Sequence, residues 1–449
     1  MFQTLKNAWK IPELKNKLLF TLLIIVLYRL GSALYLPWIN AEVLEEWFKS
    51  MNGNALGWLN LLSGGALSRA TLFALSVSPY ITASIVIQLL TIAIPVFERW
   101  SKEGESGRKK LSAITRVVTV VLALVTAIGY TMYISSLNGG AMMTAAGKTF
   151  FGKVVLVGCY CAGAALIMWL AEQINEFGIG NGISIILFAN IISRLPAMAG
   201  SLWSRCFGNG AYELGSKLSG WKLYVVGALL FLLFIAVLLF FTVLVVWFSN
   251  SERRIPVQYA KRVVGRKMYG GQSSTLPIKL DMAGVMPIIF ASSIVSIPST
   301  IAGFFQGRPW ADWINNYLGY TSFPYIAIYL ILIVAFAYFY IMISFNPVEV
   351  ANNLRSNGGA VPGIRPGRPT VDYITKILNR ITLLGALFLI VLSGVPMIVN
   401  AVWYAIDGVG IQDLAFSGSS LLIVVGVALE TFRELEAQMT LRNYKGFLD

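Results

Sequence analysis

The chain has 449 residues, of which 57% are hydrophobic and only 12% charged, and its mean hydropathy is +0.70; that leaves too little polar surface to solvate a water-soluble fold. Its formal charge of +14 comes from 35 Lys and Arg against 21 Asp and Glu, and it has no histidine, so the commonest general base and metal ligand is missing. Three cysteines, Cys159, Cys161 and Cys206, are too few for a disulfide framework, and Cys159 and Cys161 lie about 200° apart around a helix, poorly placed to share a metal.

Apolar runs long enough to cross a hydrocarbon core of about 30 Å recur along the whole chain, and they lack the alternation of barrel strands, so helices are the expected spanning element. The basic start, MFQTLKNAWKIPELKNK, precedes a run too long for a signal-peptide core and reads as a retained first helix. In order, the predicted spans cover residues 17–37, 71–95, 113–135, 151–173, 181–199, 222–248, 283–303, 323–345, 378–400 and 418–437. They divide evenly near residue 215, which suits two five-span halves, residues 1–215 and 216–449; an odd number of spans per half makes the halves inverted. The expected fold class is therefore an all-α integral membrane protein of ten transmembrane helices.

Between the first two spans, GWLNLLSGGALSRATLFAL is half apolar and is broken at Gly64-Gly65 before it is long enough to cross. One reading is a re-entrant half-helix, which implies an internal cavity, because irregular backbone at membrane depth survives only inside protein. The other is a helix lying on the outer interface. Two long loops farther on are basic: residues 249–279 carry Arg253, Arg254, Lys261, Arg262, Arg266 and Lys267, and residues 346–376 contain VPGIRPGRP. In the second, Pro362-Gly363 and Pro366-Gly367 predict two turns, with Pro presetting one central φ and Gly supplying a positive one, so that Arg365 stands on a stiff, exposed tip. Of the 35 cations, 25 fall on the side of these loops, nine on the other, and Arg29 within a span; the bias places both termini in the cytoplasm. The loops serve either as a solvated orientation signal or as a dock for an acidic or RNA-bearing partner.

Ion-coupled transporters keep ionisable groups in mid-span, and here Arg29 is the exception, about 18 Å along its helix from Lys17. It is expected to have a structural role, either snorkelling outward or pairing with a carboxylate. No Walker A sequence is present, and GIGNGI at 178–183 lacks the preceding strand and third glycine of a dinucleotide site. No enzyme chemistry, cofactor or metal is expected, and any driving energy comes from a partner or a gradient. A secondary transporter of small solutes is the alternative.

Six stretches, LLSGGALSRA at 61–70, SKEGESGRKK at 101–110, EQINEFGIGNGISI at 172–185, MAGVMPIIFASS at 282–293, FNPVEVANNL at 345–354 and VPGIRPG at 361–367, resemble the signature stretches of the bacterial SecY family, in the family's order and across almost the entire chain. The resemblance implies a channel in the bacterial plasma membrane that moves unfolded preproteins across the bilayer and releases apolar signal sequences sideways into lipid, through a lateral gate between the second, third, seventh and eighth spans. It implies an hourglass pore whose constriction maps onto Val77, Ile81, Ile183, Leu187, Ile289 and Ile423. The half-helix from about residue 55 to 70, including Leu59, Leu61, Leu62, Ser63, Gly64 and Gly65, is similar to the family's plug. Val77 and Leu187 stand where the family often has Ile, and Ser76 where Gly is common, which bears on the width of the constriction and leaves its apolar character unchanged. Arg266, Lys267 and Arg365 map onto the surface that docks the SecA motor ATPase or a ribosome, and SecE-like and SecG-like small membrane subunits are the implied partners.

Overall fold

The computed structural model describes residues 2–50, 60, 63–137, 142–207, 221–259, 262–264, 267–269, 273–305, 308–319, 322–407 and 418–445. The elements in order are α1 Phe2–Trp9, α2 Pro12–Ala33, α3 Ala41–Ser50, α4 Ser78–Ala93, α5 Pro95–Lys102, α6 Glu105–Ser136, α7 Ala145–Lys148, α8 Phe150–Phe177, α9 Gly182–Phe207, α10 Trp221–Ser249, β1 Glu252–Tyr259, β2 Arg262–Val264, β3 Lys267–Tyr269, β4 Ser273–Lys279, α11 Met286–Phe304, α12 Pro309–Tyr317, α13 Phe323–Ser344, α14 Pro347–Ser356, β5 Gly359–Ala360, α15 Arg368–Asp407 and α16 Gly418–Lys445.

Each predicted span carries one of these helices. By length and apolarity α2, α6, α8, α10, α13 and α15 can cross a membrane, α4 and α5 form a pair bent by 101°, and α9 and α11 hold the shorter apolar stretches Gly182–Ala197 and Met286–Ala302. Helix starts follow from proline, whose missing N–H costs nothing in a first turn: α2, α4, α5, α11, α12, α13 and α14 all have Pro at N1 or N2. At α14 the Asn346-Pro347 pair adds a side-chain cap, with Asn346 Oδ1 accepting from the Val348 N–H at 3.1 Å. The second span starts at Ser78 and not at the expected residue 71, because residues 72–77 are turns and Ser76 holds φ at 51°.

The main apolar core gathers side chains from α2, α4, α8, α9, α10, α11, α13, α15 and α16. Helix α11 packs on both α4 and α6 and joins the two parts of the chain. A second core lies around Leu44, Tyr130, Tyr133, Leu156 and Tyr160. Outside the cores, large side chains such as Leu232, Leu233, Phe240, Val243 and Trp247 on α10 are exposed, the surface expected of a helix that faces lipid.

The first long basic loop holds strands, which sequence reading did not specify. β1 pairs antiparallel with β4, Ile255 opposite Leu276 and Val257 opposite Ser274, and β5 of the second loop adds to its other edge through Gln258–Ala360 and Tyr259–Gly359. Ile255 and Val257 are buried while Arg254, Pro256 and Gln258 are exposed, the two-residue alternation of a half-buried strand. Beneath the sheet a third core unites Ile255 and Ile278 with Ala351, Val361, Ile374, Leu378 and Ile381.

Candidate functional site

The six residues assigned to a constriction all belong to or border the main apolar core. Val77, Ile81, Leu187, Ile289 and Ile423 are buried members of the main apolar core, and Ile183 packs half-buried against it. They arrive from the turn before α4, from α4 itself, and from α9, α11 and α16. The i, i+4 pairs Val77/Ile81 and Ile183/Leu187 each present two side chains to one face. Local capping fixes the start of α9: Asn181 Oδ1 accepts from the Ile183 N–H at 3.1 Å, and Asn175 Oδ1 accepts from the Gly182 N–H at 2.8 Å. Gly182 lies so close to the Ala171 carbonyl of α8 that a Cβ would overlap it, and Gly180 holds φ at +85°. The glycine and asparagine run at 175–182 therefore fixes where α9 begins and how closely it approaches α8.

Of the segment expected to be a half-helix, Leu59, Leu61 and Leu62 lie outside the described residues. Asn60 is helical, and the expectation is corrected over residues 63–70, where Ser63, Gly64 and Gly65 begin a run of turns and not a helix. The cause is local. Gly64 and Gly65 have φ of 67° and 89°, and Ala70 has 47°, all outside the helical region. Polar side chains take over the backbone bonding: the Ser68 N–H donates to Asn60 Oδ1 at 2.9 Å, the Leu67 N–H to Ser63 Oγ at 3.1 Å, and Ser63 Oγ to the Asn60 carbonyl at 3.0 Å. Ser63, Ala66, Leu67, Ser68, Ala70 and Thr71 are all buried, which fits a segment enclosed by protein better than a helix on the outer interface.

Three contacts hold these turns. Tyr130 of α6 donates its hydroxyl to the Leu67 carbonyl at 2.5 Å. Thr71 bridges to Tyr35, with the Leu72 N–H donating to the Leu34 carbonyl at 3.0 Å. Gly163 of α8 lets the Leu72 carbonyl approach where a side chain would collide. A polar joint lies beside them: Asn190 of α9, fully buried, donates to Ser76 Oγ at 3.3 Å, and a Cβ on Gly64 would stand 3.1 Å from Asn190 Oδ1 and 3.3 Å from Arg29 Nη1. Sequence reading missed Asn190; the available signal was a lone amide in the apolar run ILFANII. Arg29 meets no carboxylate among the described residues; its Nη2 donates to the Ala189 backbone carbonyl.

On the loop side, Arg365 is exposed between two turns in which Gly363 and Gly367 hold φ of 79° and 111°, and Thr370 Oγ1 donates to its carbonyl at 2.9 Å. Lys267 lies on β3, paired with Val264 across a short hairpin, and Arg266 is outside the described residues. A cluster that sequence reading did not anticipate ties the root of the sheet to two helices. Arg433 of α16 donates to the Ser249 carbonyl at 2.7 Å and to Asn250 Oδ1 at 2.8 Å, while Asp281 accepts from Ser249 Oγ at 3.2 Å and from the Gly284 N–H at 3.0 Å. Burial pushes the Asp281 carboxyl above the usual carboxylate range, against those two hydrogen bonds and the nearby Arg433 and Lys279.

The SecY family model matches residues 71–432. The chain is 43% identical to the protein translocase subunit SecY of Streptomyces coelicolor and 41% identical to that of Bacillus subtilis, with all of each chain covered in both cases. Among solved structures it is similar to one described as a protein conducting channel, with a TM-score of 0.60 at 16% identity, and to Sec61 in the canine ribosome-channel complex from the endoplasmic reticulum, with 0.56 at 15% identity; 96% of each chain is covered in both. These structures share the fold, and the full-length relatives establish the lineage: the chain belongs to the SecY family.

Proposed function

We propose that this chain is the channel subunit of a protein translocase in the bacterial plasma membrane, passing unfolded polypeptides across the bilayer and apolar segments sideways into it. The observation that carries the reading is that Val77, Ile81, Leu187, Ile289 and Ile423 are buried members of one apolar core, with Ile183 packed against it. A narrow aliphatic constriction dewets and blocks ions, holding against about 2.3 kcal/mol per charge per 100 mV, yet flexible aliphatic side chains still close around a moving chain of varied side chains. Ten spans, in inverted halves at 1–215 and 216–449, surround an hourglass pore. The buried turns and their preceding residues, about 55–70, are the plug, and the packing of α11 on α4 and α6, with α13 alongside, is the closed lateral gate. SecE-like and SecG-like subunits complete the channel, the SecA motor or a ribosome docks on Arg266, Lys267 and Arg365, and both termini are cytoplasmic. A small-solute transporter is disfavoured, because the mid-span charge is Arg29, held to a backbone carbonyl, where a coupling ion would need an acid.

The test is reconstitution with the small subunits and a motor ATPase, reading protease protection of a preprotein alongside decay of an ion gradient. Replacing Ile81 and Ile183 together by Asn should wet the constriction and speed ion leak while transport continues. Vesicles that hold the gradient as well as unsubstituted ones would remove the six residues from the constriction, and absence of preprotein transport by the unsubstituted protein would remove the function.

A further inference from the structure

The outer faces of α13 and α15 carry a groove of about 470 Å³ that the transport path does not use, lined by Tyr338, Asp372, Thr375, Lys376, Asn379, Arg380 and Leu383. Asp372, Lys376 and Arg380 follow one another at i, i+4 along α15, about 6 Å apart on one face. Lys376 and Arg380 are exposed, and neither has an ion pair among the described residues. Tyr338 of α13 donates its hydroxyl to the Asn379 carbonyl at 3.3 Å and fixes the spacing of the two helices at the groove. One turn below, the surface becomes apolar: Leu383, Leu384 and Leu387 are exposed on α15. The groove therefore sits where α15 passes from the polar loop side into its membrane-facing stretch.

We propose that this groove is a headgroup site for an anionic phospholipid such as phosphatidylglycerol. The phosphodiester lies between the Lys376 ammonium and the Arg380 guanidinium, and the acyl chains run down the Leu383, Leu384 and Leu387 face. Two cations one turn apart on α15, beside a groove walled on its other side by Tyr338 of α13, can meet one phosphate together, as acidic headgroups require. Asp372, at the end away from the apolar edge, accepts from glycerol hydroxyls, and it disfavours a second phosphate there. An acidic protein segment fits less well, because the groove opens onto exposed leucines with which such a segment has no polar contact to make.

This inference rests on the membrane-spanning reading of α13 and α15 and is independent of whether the pore carries polypeptide. The test uses the intact complex in nanodiscs of phosphatidylglycerol and phosphatidylcholine, with retained lipids counted by native mass spectrometry. Lys376→Gln with Arg380→Gln should remove one tightly held phosphatidylglycerol, with affinity falling roughly fivefold for each lost charge. Lys109→Gln, another exposed cation on the loop side, should leave the count unchanged, and Lys376→Arg should retain the lipid. Equal lipid retention by the double variant and the unsubstituted chain would overturn the site. Displacement of the lipid by millimolar glycerol phosphate would overturn it in favour of a free phosphate site, and an unchanged lipid count with loss of a co-purifying protein would assign the groove to that partner.

Discussion

Tyr130→Phe tests whether the buried turns act as a plug. The substitution removes one oxygen and keeps the ring, which packs edge-on against Tyr160 at 5.3 Å between centroids. What is lost is the hydrogen bond to the Leu67 carbonyl. That carbonyl keeps a second donor, the Ala70 N–H at 3.2 Å, so the cost is the net value of one neutral bond, about 0.5 to 1.5 kcal/mol, and not the larger penalty of an orphaned group. If the bond exists only while the segment is seated, the ratio of released to seated channels rises by about two- to twelvefold. Resting ion conductance should rise by that factor in planar bilayers, with transport of preprotein retained. Tyr160→Phe is the matched control, since the Tyr160 hydroxyl has no hydrogen-bond partner among the described residues, and it should leave conductance unchanged. An unchanged conductance in Tyr130→Phe, or an equal rise in both variants, would refute the reasoning.

Deleting residues 57–67 should also raise resting leak while leaving some translocation, because plug and constriction seal in series; conductance of single channels reads this directly. Arg365→Glu should insert normally and seal normally yet lose motor-driven transport, and Arg365→Lys should recover only part of it, since the guanidinium fork binds carboxylate or phosphate at two points; normal ATP-driven secretion by the Glu variant returns Arg365 to an orientation signal. For Asp281 the folded protein binds the carboxyl proton more tightly than the unfolded chain, so stability falls as pH rises from the ordinary carboxylate pKa through the raised one. Asp281→Asn should therefore match or exceed the unsubstituted melting temperature at pH 7 and lose its advantage in acid, whereas Asp281→Ala should cost about 1 to 3 kcal/mol by stranding its donors; a lower melting point for the Asn variant at pH 7 would show that the ionised form is favoured. Gly182→Ala should destabilise by about 1 to 3 kcal/mol, because its methyl meets the α8 backbone and not a movable side chain; thermal unfolding in detergent measures it.

Helix positions were legible because long apolar runs, proline starts and charged ends are local signals, and the two Pro-Gly turns were legible for the same reason. The turns at 63–77 were not, because Ala70 and Ser76 adopt positive φ only under contacts from α6, α8 and α9 that no local pattern announces. β1 was hidden by Pro256 and by flanking arginines, although Ile255 and Val257 carried its two-residue period. Within the site, the constriction residues came from family likeness and from i, i+4 spacing shared by most core pairs; the sequence gives no physical reason to choose Ile423 over its neighbours. Asn190, Asp281 and Arg433 act through partners more than a hundred residues away or across a loop, which places them beyond any reading of adjacent residues.

The seam between β1 and β5 joins two loops that the chain order keeps apart. Four backbone positions, Gln258, Tyr259, Gly359 and Ala360, stitch them into one sheet over a shared core, so the loops form a single yoke rooted in α10, α11, α13 and α15. A load applied at the tip that bears Arg365 is transmitted to all four helices together, and α11 is the one that leans on α4 and α6. Under the docking proposed for Arg365, a partner would therefore be linked through the yoke to the joint between the two parts of the chain, with no need to touch that joint.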